Sequence, residues 1–262
     1  MVINQFDSLM KCIDRSVCCR MLLLFLLIGY SNVSSQELAK IRVVTDGLKP
    51  LVYYDTETKE IQGIAADMVS DLITESGIPY SMELLPWSRA LNIAQNEPNV
   101  LIFLIARTES REDKFLWFHQ YLSLNYYLYA KQSRLTELND LVTDYKDARI
   151  GVIRNDFTHS ELKKRGFNNI VAVENNEALS QMLNRDRIDF ICSSDYAIEH
   201  FELGLLLSTT DLIQAVELPL QAVPVYFALS LNTDPEIVAK LDQALERMGN
   251  LQRYQLPAVR NQ

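Results

Sequence analysis

Short apolar runs alternate with amphipathic segments along the chain from residue 41 onward. The run "VLIFLIA" at 100–106 is apolar throughout, which is typical of a strand buried on both faces of a parallel sheet. In "GIAADMVSDLITESG" at 63–77, apolar residues such as Ile64 and Met68 fall on one helical face, and Gly77 supplies a stop. The first part of the chain is therefore predicted to alternate strands with helices.

The same periodicities predict the other elements. Strands are predicted at 41–45, 80–85, 148–154, 169–174 and 188–193, and helices at 87–97, 160–166, 176–187, 195–204 and 234–249. The segment 51–55 can pair as a strand or lie in a loop. Strands separated by helices of this length favour βαβ units, which places the chain in the α/β class.

Two long extended passages, 121–130 and 221–230, bracket a complete α/β unit. We interpret them as chain crossings between two lobes, each built on an open and mainly parallel sheet, joined by a hinge of two crossings. The first lobe is then discontinuous, with residues 36–130 and 224–262, and the second lobe, 131–223, is an insertion. Because ligands of open α/β sheets bind beyond the carboxyl ends of the strands, the cleft between the lobes is the expected site.

The first 35 residues differ from the rest and predict a cleaved secretory signal. Basic residues precede the apolar run "MLLLFLLIGY" at 21–30, and small residues follow it, which favours cleavage between Ser35 and Gln36. The alternative, a transmembrane anchor, needs about 20 apolar residues. The expected location is the periplasm of a Gram-negative bacterium, with no stable membrane insertion after cleavage.

Composition narrows the function. The chain is 48% hydrophobic and 23% charged with a formal net charge of -9, which suits a soluble globular protein and argues against nucleic acid as a partner. Beyond the predicted signal only Cys192 remains, so no internal disulfide is possible. A periplasmic location is compatible with this, because a periplasmic protein does not require a disulfide. The spacing of His119, His159 and His200 suggests no metal site, and no phosphate- or dinucleotide-binding glycine pattern is present, so no cofactor is expected.

Two candidate binding residues follow strands of the first lobe. Trp87 comes directly after Pro86 and the strand 80–85, which puts its indole on the cleft side. In "RTESRE", Thr108 can cap a short helix, and Arg111 can grip a carboxylate through two parallel hydrogen bonds. The alternative is that Arg111 belongs to a solvated helix face of weak ion pairs.

The second lobe offers an acid and a helix start. Asp195 follows the strand 188–193 and can serve as a helix N-cap, accept a ligand ammonium group, or do both. In "RNDFTHSEL", the free backbone N–H groups where the helix opens can hold an anion such as a ligand carboxylate.

Several stretches, in their order and spacing, resemble the extracellular solute-binding proteins of the amino-acid-binding type, which have the two-lobed periplasmic binding fold. They are "GLKPLVYYDTETKEIQGIAADMVSDL", "LPWSRAL", "RTESREDKFLWF", "IGVIRNDF" and "DFICSSDYAI", and they span about residues 40–250. By that resemblance Arg111, in its Thr108-x-x-Arg motif, clamps the ligand carboxylate, and Asp195 takes the ammonium group.

The resemblance implies the rest of the pocket as well. Trp87 and Tyr53 form its aromatic wall, Phe157 and Thr158 its anion seat, and Ala106, at the end of "FLIA", part of its thinly polar lining. This chain departs from the pattern at the helix start, where Asn155 and Asp156 replace glycines. Asp156 would repel a carboxylate, which counts against a standard α-amino acid as ligand.

The expected function is non-enzymatic binding of a small zwitterionic or carboxylate solute by hinge closure. The partners that the resemblance implies are this small-molecule ligand and the permease of an ABC importer, and the protein is expected to be a monomer. Two alternatives stay open. One is a sensor subunit, and the other is an enzyme like the periplasmic cyclohexadienyl dehydratases, with Glu174 or Asp195 as the acid.

Overall fold

The computed structural model describes residues 39–136, 138, 145–199, 211–218 and 220–255. The predicted signal segment at 1–35 lies outside these residues. Within them, no helix combines the length and the apolar character needed to cross a membrane.

Twelve strands and six α-helices make up the described chain. The strands are β1 Ile41–Thr45, β2 Tyr53–Asp55, β3 Glu60–Gln62, β4 Tyr80–Leu84, β5 Val100–Ala106, β6 Phe115–Leu124, β7 Tyr126–Lys131, β8 Ile150–Ile153, β9 Ile170–Val173, β10 Phe190–Ser194, β11 Leu212–Glu217 and β12 Val223–Ser230. The helices are α1 Ile64–Ser76, α2 Trp87–Asn96, α3 Phe157–Lys164, α4 Asn176–Asn184, α5 Asp195–Glu199 and α6 Pro235–Met248. A 3-10 helix, Glu109–Lys114, joins β5 to β6.

Two five-stranded sheets carry the fold, one in the order β4-β1-β5-β12-β6 and the other in the order β11-β7-β10-β8-β9. We call the first sheet with α1, α2 and α6 the first lobe, and the second sheet with α3, α4 and α5 the second lobe. The predicted α/β architecture with two open sheets is confirmed. Each sheet is parallel on one side and antiparallel on the other, because the extended passages at β6–β7 and β11–β12 pair antiparallel with their neighbours.

The chain crosses between the sheets at Asn125 and again near Ala222. The first crossing precedes the expected boundary at residue 130, because β7 already pairs within the second sheet. The run "YYLYAK" continues the apolar-aromatic pattern of β6, so the sequence gives no sign of the change of sheet. The Asn125 side chain joins the crossings, since its Oδ1 accepts from the Ala222 N–H at 2.9 Å and its Nδ2 donates to Asp195 at 3.0 Å.

Local signals explain where the helices begin and end. Helix α1 ends at Gly77, whose φ of 71° is the left-handed conformation that glycine adopts without strain. Helix α3 begins at Phe157, earlier than predicted, because Asp156 caps it. In the first lobe, the fully buried rings of Phe103 and Phe227 meet edge-on with centroids 5.9 Å apart.

Candidate functional site

A cavity lies between the two lobes, beyond the carboxyl ends of strands from both sheets. Its water-accessible space is about 100 Å³, room for several water molecules, since one needs roughly 10–15 Å³. The polar part of its lining consists of Asp46, Tyr126, Asp156, Thr158, Asn176, Ser193 and Ser194. The apolar part includes Leu104, Leu124, Ile153, Leu179, Val225 and the Trp87 ring.

Asp46 brings a carboxyl group into this cavity from the first lobe. It directly follows β1, so the strand's parallel pairing with β4 and β5 fixes its position at the sheet edge. Burial, together with repulsion from the Asp156 carboxylate, raises the pKa of Asp46 to about 7. At neutral pH this carboxyl group is therefore divided between its protonated and charged forms.

Asp156 brings the second carboxyl group, from the second lobe. Its Oδ1 accepts hydrogen bonds from the Thr158 backbone N–H at 2.9 Å and from the Thr158 hydroxyl at 2.6 Å. These bonds make Asp156 the N-cap of α3, where the helix dipole also favours a negative charge. The helix start expected to hold a ligand carboxylate is thus occupied by a carboxylate of the protein itself.

Tyr126 and Cys192 also line the cavity, together with the two acids. Burial raises the pKa of the Tyr126 hydroxyl well above its usual range, and burial likewise raises the pKa of the Cys192 thiol. Both groups are therefore neutral at physiological pH. Cys192 is buried, at 6% exposure, and also lines the cavity.

Arg111 and Trp87 lie together at the boundary between the lobes. The guanidinium carbon lies 5.5 Å from the centre of the Trp87 ring, and the two side chains are 6% and 4% exposed. Arg111 Nη1 donates to the Ala106 carbonyl at 3.2 Å, and Nη2 donates to the Asn155 carbonyl of the second lobe at 3.0 Å. Trp87 Nε1 donates to the same Asn155 carbonyl at 3.1 Å.

This burial separates Arg111 from the solvated ion pairs around it. Arg107 pairs with Glu112 on the surface and lies between the rings of Trp117 and Tyr226. Burial lowers the pKa of Arg111, although an arginine remains protonated at physiological pH. Arg111 is not among the residues that line the cavity.

The other residues expected at the site lie in different places. Thr158 lines the cavity, whereas the Phe157 ring packs into the second core, edge-on to Tyr126 at 4.8 Å. Asp195 is not among the lining residues; its oxygens accept from the Tyr196 N–H at 2.8 Å and from Asn125 at 3.0 Å. Ser193 and Ser194, just before it, do line the cavity.

Tyr53 and Thr108 stay outside the cavity. The Tyr53 hydroxyl donates to Gln62 at 3.4 Å within the β2–β3 hairpin. Thr108 is at the N-cap position of the 3-10 helix, but its hydroxyl bonds to Ser110 at 3.1 Å instead of to a helix N–H. Of the expected site residues, the structure therefore brings Trp87, Arg111 and Ala106 into contact and places Trp87 and Thr158 on the cavity.

Sequence reasoning missed Asp46. A signal was available, because an acid directly after the predicted strand 41–45 meets the rule that selected Asp195 after the strand 188–193. Asp156 was noted only as a residue that repels carboxylates. Its position opposite Asp46 depends on how the two lobes meet.

Comparison with solved structures shows the same fold. An ancestral arginine-binding protein bound to arginine is 16% identical with a TM-score of 0.66, covering 84% of this chain and 96% of its own. An amino acid ABC transporter substrate-binding protein from Streptococcus pneumoniae, bound to L-arginine, is 18% identical with a TM-score of 0.67, covering 82% and 92%. A histidine kinase sensor domain with similarity to periplasmic binding proteins is 17% identical with a TM-score of 0.65, covering 83% and 93%.

No curated protein sequence gives a significant match. Residues 41–256 match the family of bacterial extracellular solute-binding proteins, family 3. This match covers most of the chain and confirms both the resemblance drawn from the sequence and the function of solute binding. The chain belongs to family 3 of the bacterial extracellular solute-binding proteins.

Proposed function

We propose that this protein captures a small amino-acid-like solute with a positively charged group, and that the group lies between Asp46 and Asp156. One observation carries the proposal: a carboxyl group from each lobe lines the same cavity. The sequence predicted a zwitterionic or carboxylate solute; the two acids favour a zwitterionic or cationic solute instead. We further propose that the captured solute passes from the periplasm to the permease of an ABC importer.

The balance of charge in the cavity supports a cationic ligand. The described lining residues include two acids and no lysine, arginine or histidine. Arg111, buried nearby, attracts the Asp156 carboxylate. For Asp46, the two largest contributions to the pKa shift are desolvation and repulsion from Asp156, and both raise the pKa. A buried carboxylate is costly without a partner, and an ammonium or guanidinium group would supply charge-assisted hydrogen bonds to both acids.

The ligands bound to similar proteins also favour a cationic solute. The ancestral protein and the pneumococcal protein are both bound to arginine, whose side chain is a guanidinium. The pneumococcal protein also serves an ABC transporter, which is the precedent for an importer as the partner. On these grounds we favour L-arginine, L-lysine and related amines as the first solutes to test.

Both lobes contribute to the proposed site, which gives a physical basis for capture by closure. A cation held by Asp46 alone gains one charged contact, and the contact with Asp156 forms only when the lobes approach each other. A ligand that interacts more strongly with one arrangement shifts the population toward it. The acids therefore couple solute binding to lobe closure.

The enzymatic alternative has weaker support. The Arg154 guanidinium lowers the pKa of Glu174, whereas a general acid needs a raised one, and Glu174 does not line the cavity. The Asp195 carboxylate does not line the cavity and accepts hydrogen bonds from the Tyr196 N–H and from Asn125. Asp46 has a suitable pKa, but prephenate carries two carboxylates and no positive group, so the two acids that line the described cavity would repel it.

A thermal-shift screen of the purified protein at pH 8 tests the proposal. The probes are L-arginine, L-lysine, agmatine and putrescine, with L-glutamate and succinate as anionic counterparts. At 100 times its dissociation constant, a bound solute stabilises by about 2.7 kcal/mol, or roughly 5–10 °C for a protein of this size. We expect at least one cation to give such a shift and Asp46→Asn to abolish it; stabilisation by the anions alone would refute the proposal.

A further inference from the structure

The backbone carbonyl of Asn155 is a meeting point of the two lobes. Trp87 Nε1 at 3.1 Å and Arg111 Nη2 at 3.0 Å both donate to it, and both donors belong to the first lobe. We call these three groups the interlobe latch. Arg111 also donates to Ala106 within its own lobe, which fixes the guanidinium against β5 and leaves Nη2 directed at the second lobe.

The conformation of Asn155 positions this carbonyl. Asn155 has a φ of 60°, in the left-handed region, where asparagine is several-fold enriched among residues other than glycine. It sits between the end of β8 and the cap of α3, in the tight turn that leads from strand to helix. The hydrogen bond from the Arg111 guanidinium to this carbonyl is partly buried, and a bond from a charged donor is one of the stronger types of protein hydrogen bond.

A second contact between the lobes lies beside the latch. Ser88, next to Trp87 in the first turn of α2, donates from its hydroxyl to Glu174 at 3.2 Å. Glu174 directly follows β9 and is also paired with Arg154. The first turn of α2 therefore touches the second lobe at the ends of two neighbouring strands, β8 and β9.

We infer that the Asn155 carbonyl, held by Trp87 and Arg111, stabilises the arrangement in which the two lobes are in contact, without the help of any solute. Arg111 does not line the cavity, so it acts as a positioning residue: it holds the Asn155 carbonyl where the lobes meet. This inference goes beyond the proposed function and does not depend on the identity of the ligand. It assigns to Arg111 a role other than the carboxylate grip that its sequence motif suggests.

The test compares the purified wild type with Trp87→Phe and Arg111→Met, with no solute added. Trp87→Phe keeps an aromatic ring and removes the N–H donor, so it leaves the cavity wall nearly unchanged. Small-angle X-ray scattering reports the radius of gyration, and hydrogen exchange reports the opening of segments 85–90 and 153–158. We expect a larger radius and, for loss of one hydrogen bond, roughly two- to tenfold faster exchange in both segments.

Trp117→Phe is a matched control. Trp117 Nε1 donates to the Glu112 carbonyl at 3.1 Å, and the Arg107 guanidinium lies 5.3 Å from the Trp117 ring centre, all within the first lobe. This variant should keep the wild-type radius and the wild-type exchange in both segments. An unchanged radius and unchanged exchange in Trp87→Phe, or the same change in Trp117→Phe, would overturn the inference even if Arg111→Met failed to fold.

Discussion

Asp46 and Asp156 line one cavity from opposite lobes, and burial, followed by repulsion from the Asp156 carboxylate, raises the pKa of Asp46. Asp156 lies at the N-terminus of α3 and accepts hydrogen bonds from the Thr158 N–H and hydroxyl. For Asp46, burial and the repulsion from Asp156 both disfavour the charged form of its carboxyl group. An arrangement that is unfavourable alone and becomes favourable with a bound cation is a reasonable feature of a binding site, where function is placed ahead of stability.

Replacing Asp46 with a neutral residue should stabilise the folded protein at alkaline pH. The pKa of Asp46 is raised from 3.8 to about 7, so the folded protein keeps this proton to a higher pH than the unfolded chain does. The contribution of Asp46 to the unfolding free energy therefore falls as pH rises from about 4 to about 7. Asp46→Asn should be more stable than wild type at pH 8, by an amount on the order of 2–4 kcal/mol, and similar to wild type at pH 4.

Urea unfolding of both proteins at pH 4 and pH 8 measures this difference. Asp113→Asn is the control, because Asp113 is an exposed acid on the 3-10 helix and does not line the cavity. It should behave as wild type at both pH values. A stability gain in Asp46→Asn that does not depend on pH would show that Asp46 is not the titrating group.

Binding of a cationic solute should weaken as pH falls below 7. A protonated Asp46 has no charge with which to attract an ammonium or guanidinium group, and the solute must displace the proton. The apparent affinity should then fall toward a limit of about tenfold per pH unit below 7. Isothermal titration calorimetry of L-arginine at pH 5.5, 6.5 and 8 gives the profile; in Asp46→Asn the profile should be flat, and a steep one there would assign the effect to another group.

Two substitutions of Asp156 distinguish the effect of its negative charge from the effect of its capping of α3. Asp156→Asn keeps an oxygen that can accept from Thr158, so stability should change little, whereas the affinity for cations should fall and the pKa of Asp46 should move down. Asp156→Ala removes the cap as well and should cost about 1 kcal/mol of stability. Thermal unfolding and a carboxyl NMR titration of Asp46 check both effects; an unmoved Asp46 titration in Asp156→Asn would mean that the two acids do not interact.

Arg111→Met distinguishes the latch from a carboxylate grip. L-arginine and agmatine share a guanidinium, and only L-arginine has a carboxylate. If Arg111 acts through lobe closure, the variant should lose affinity for both solutes by the same factor. If only the affinity for L-arginine drops in calorimetry, Arg111 holds the ligand carboxylate, as its Thr108-x-x-Arg motif predicts.

Hydrophobic periodicity was sufficient to predict most of the elements of the fold. The strand 100–106 is found at its predicted bounds, and α1, α2 and α6 lie within a residue of theirs, since helix ends are set by local signals such as Gly77 and Asp234. The chain crosses at Asn125, inside the predicted passage 121–130, whereas the lobe boundary was drawn at residue 130, because β6 and β7 form one continuous apolar-aromatic run. A change of sheet in such a run depends on long-range pairing, which periodicity does not encode.

The site was less accessible from the sequence than the fold. The position of Trp87 at the edge of the cleft follows from the strand before it, and the structure does place its ring on the cavity. The contact of Trp87 with Asn155 involves a backbone carbonyl, which no residue type can signal. Asp46 and Asp156 are separated by more than a hundred residues, and only the meeting of the two lobes makes them a pair.

The central claim, that a positive charge lies between Asp46 and Asp156, is tested most directly with pairs of solutes that differ in that charge. Calorimetry at pH 8 would compare L-arginine with its neutral analogue L-citrulline, and L-lysine with L-norleucine. We predict that the cationic member of at least one pair binds at least tenfold more tightly, a difference of about 1.4 kcal/mol, and that Asp46→Asn removes this preference. Equal affinity within both pairs, or tight binding of L-glutamate in their place, would contradict the claim.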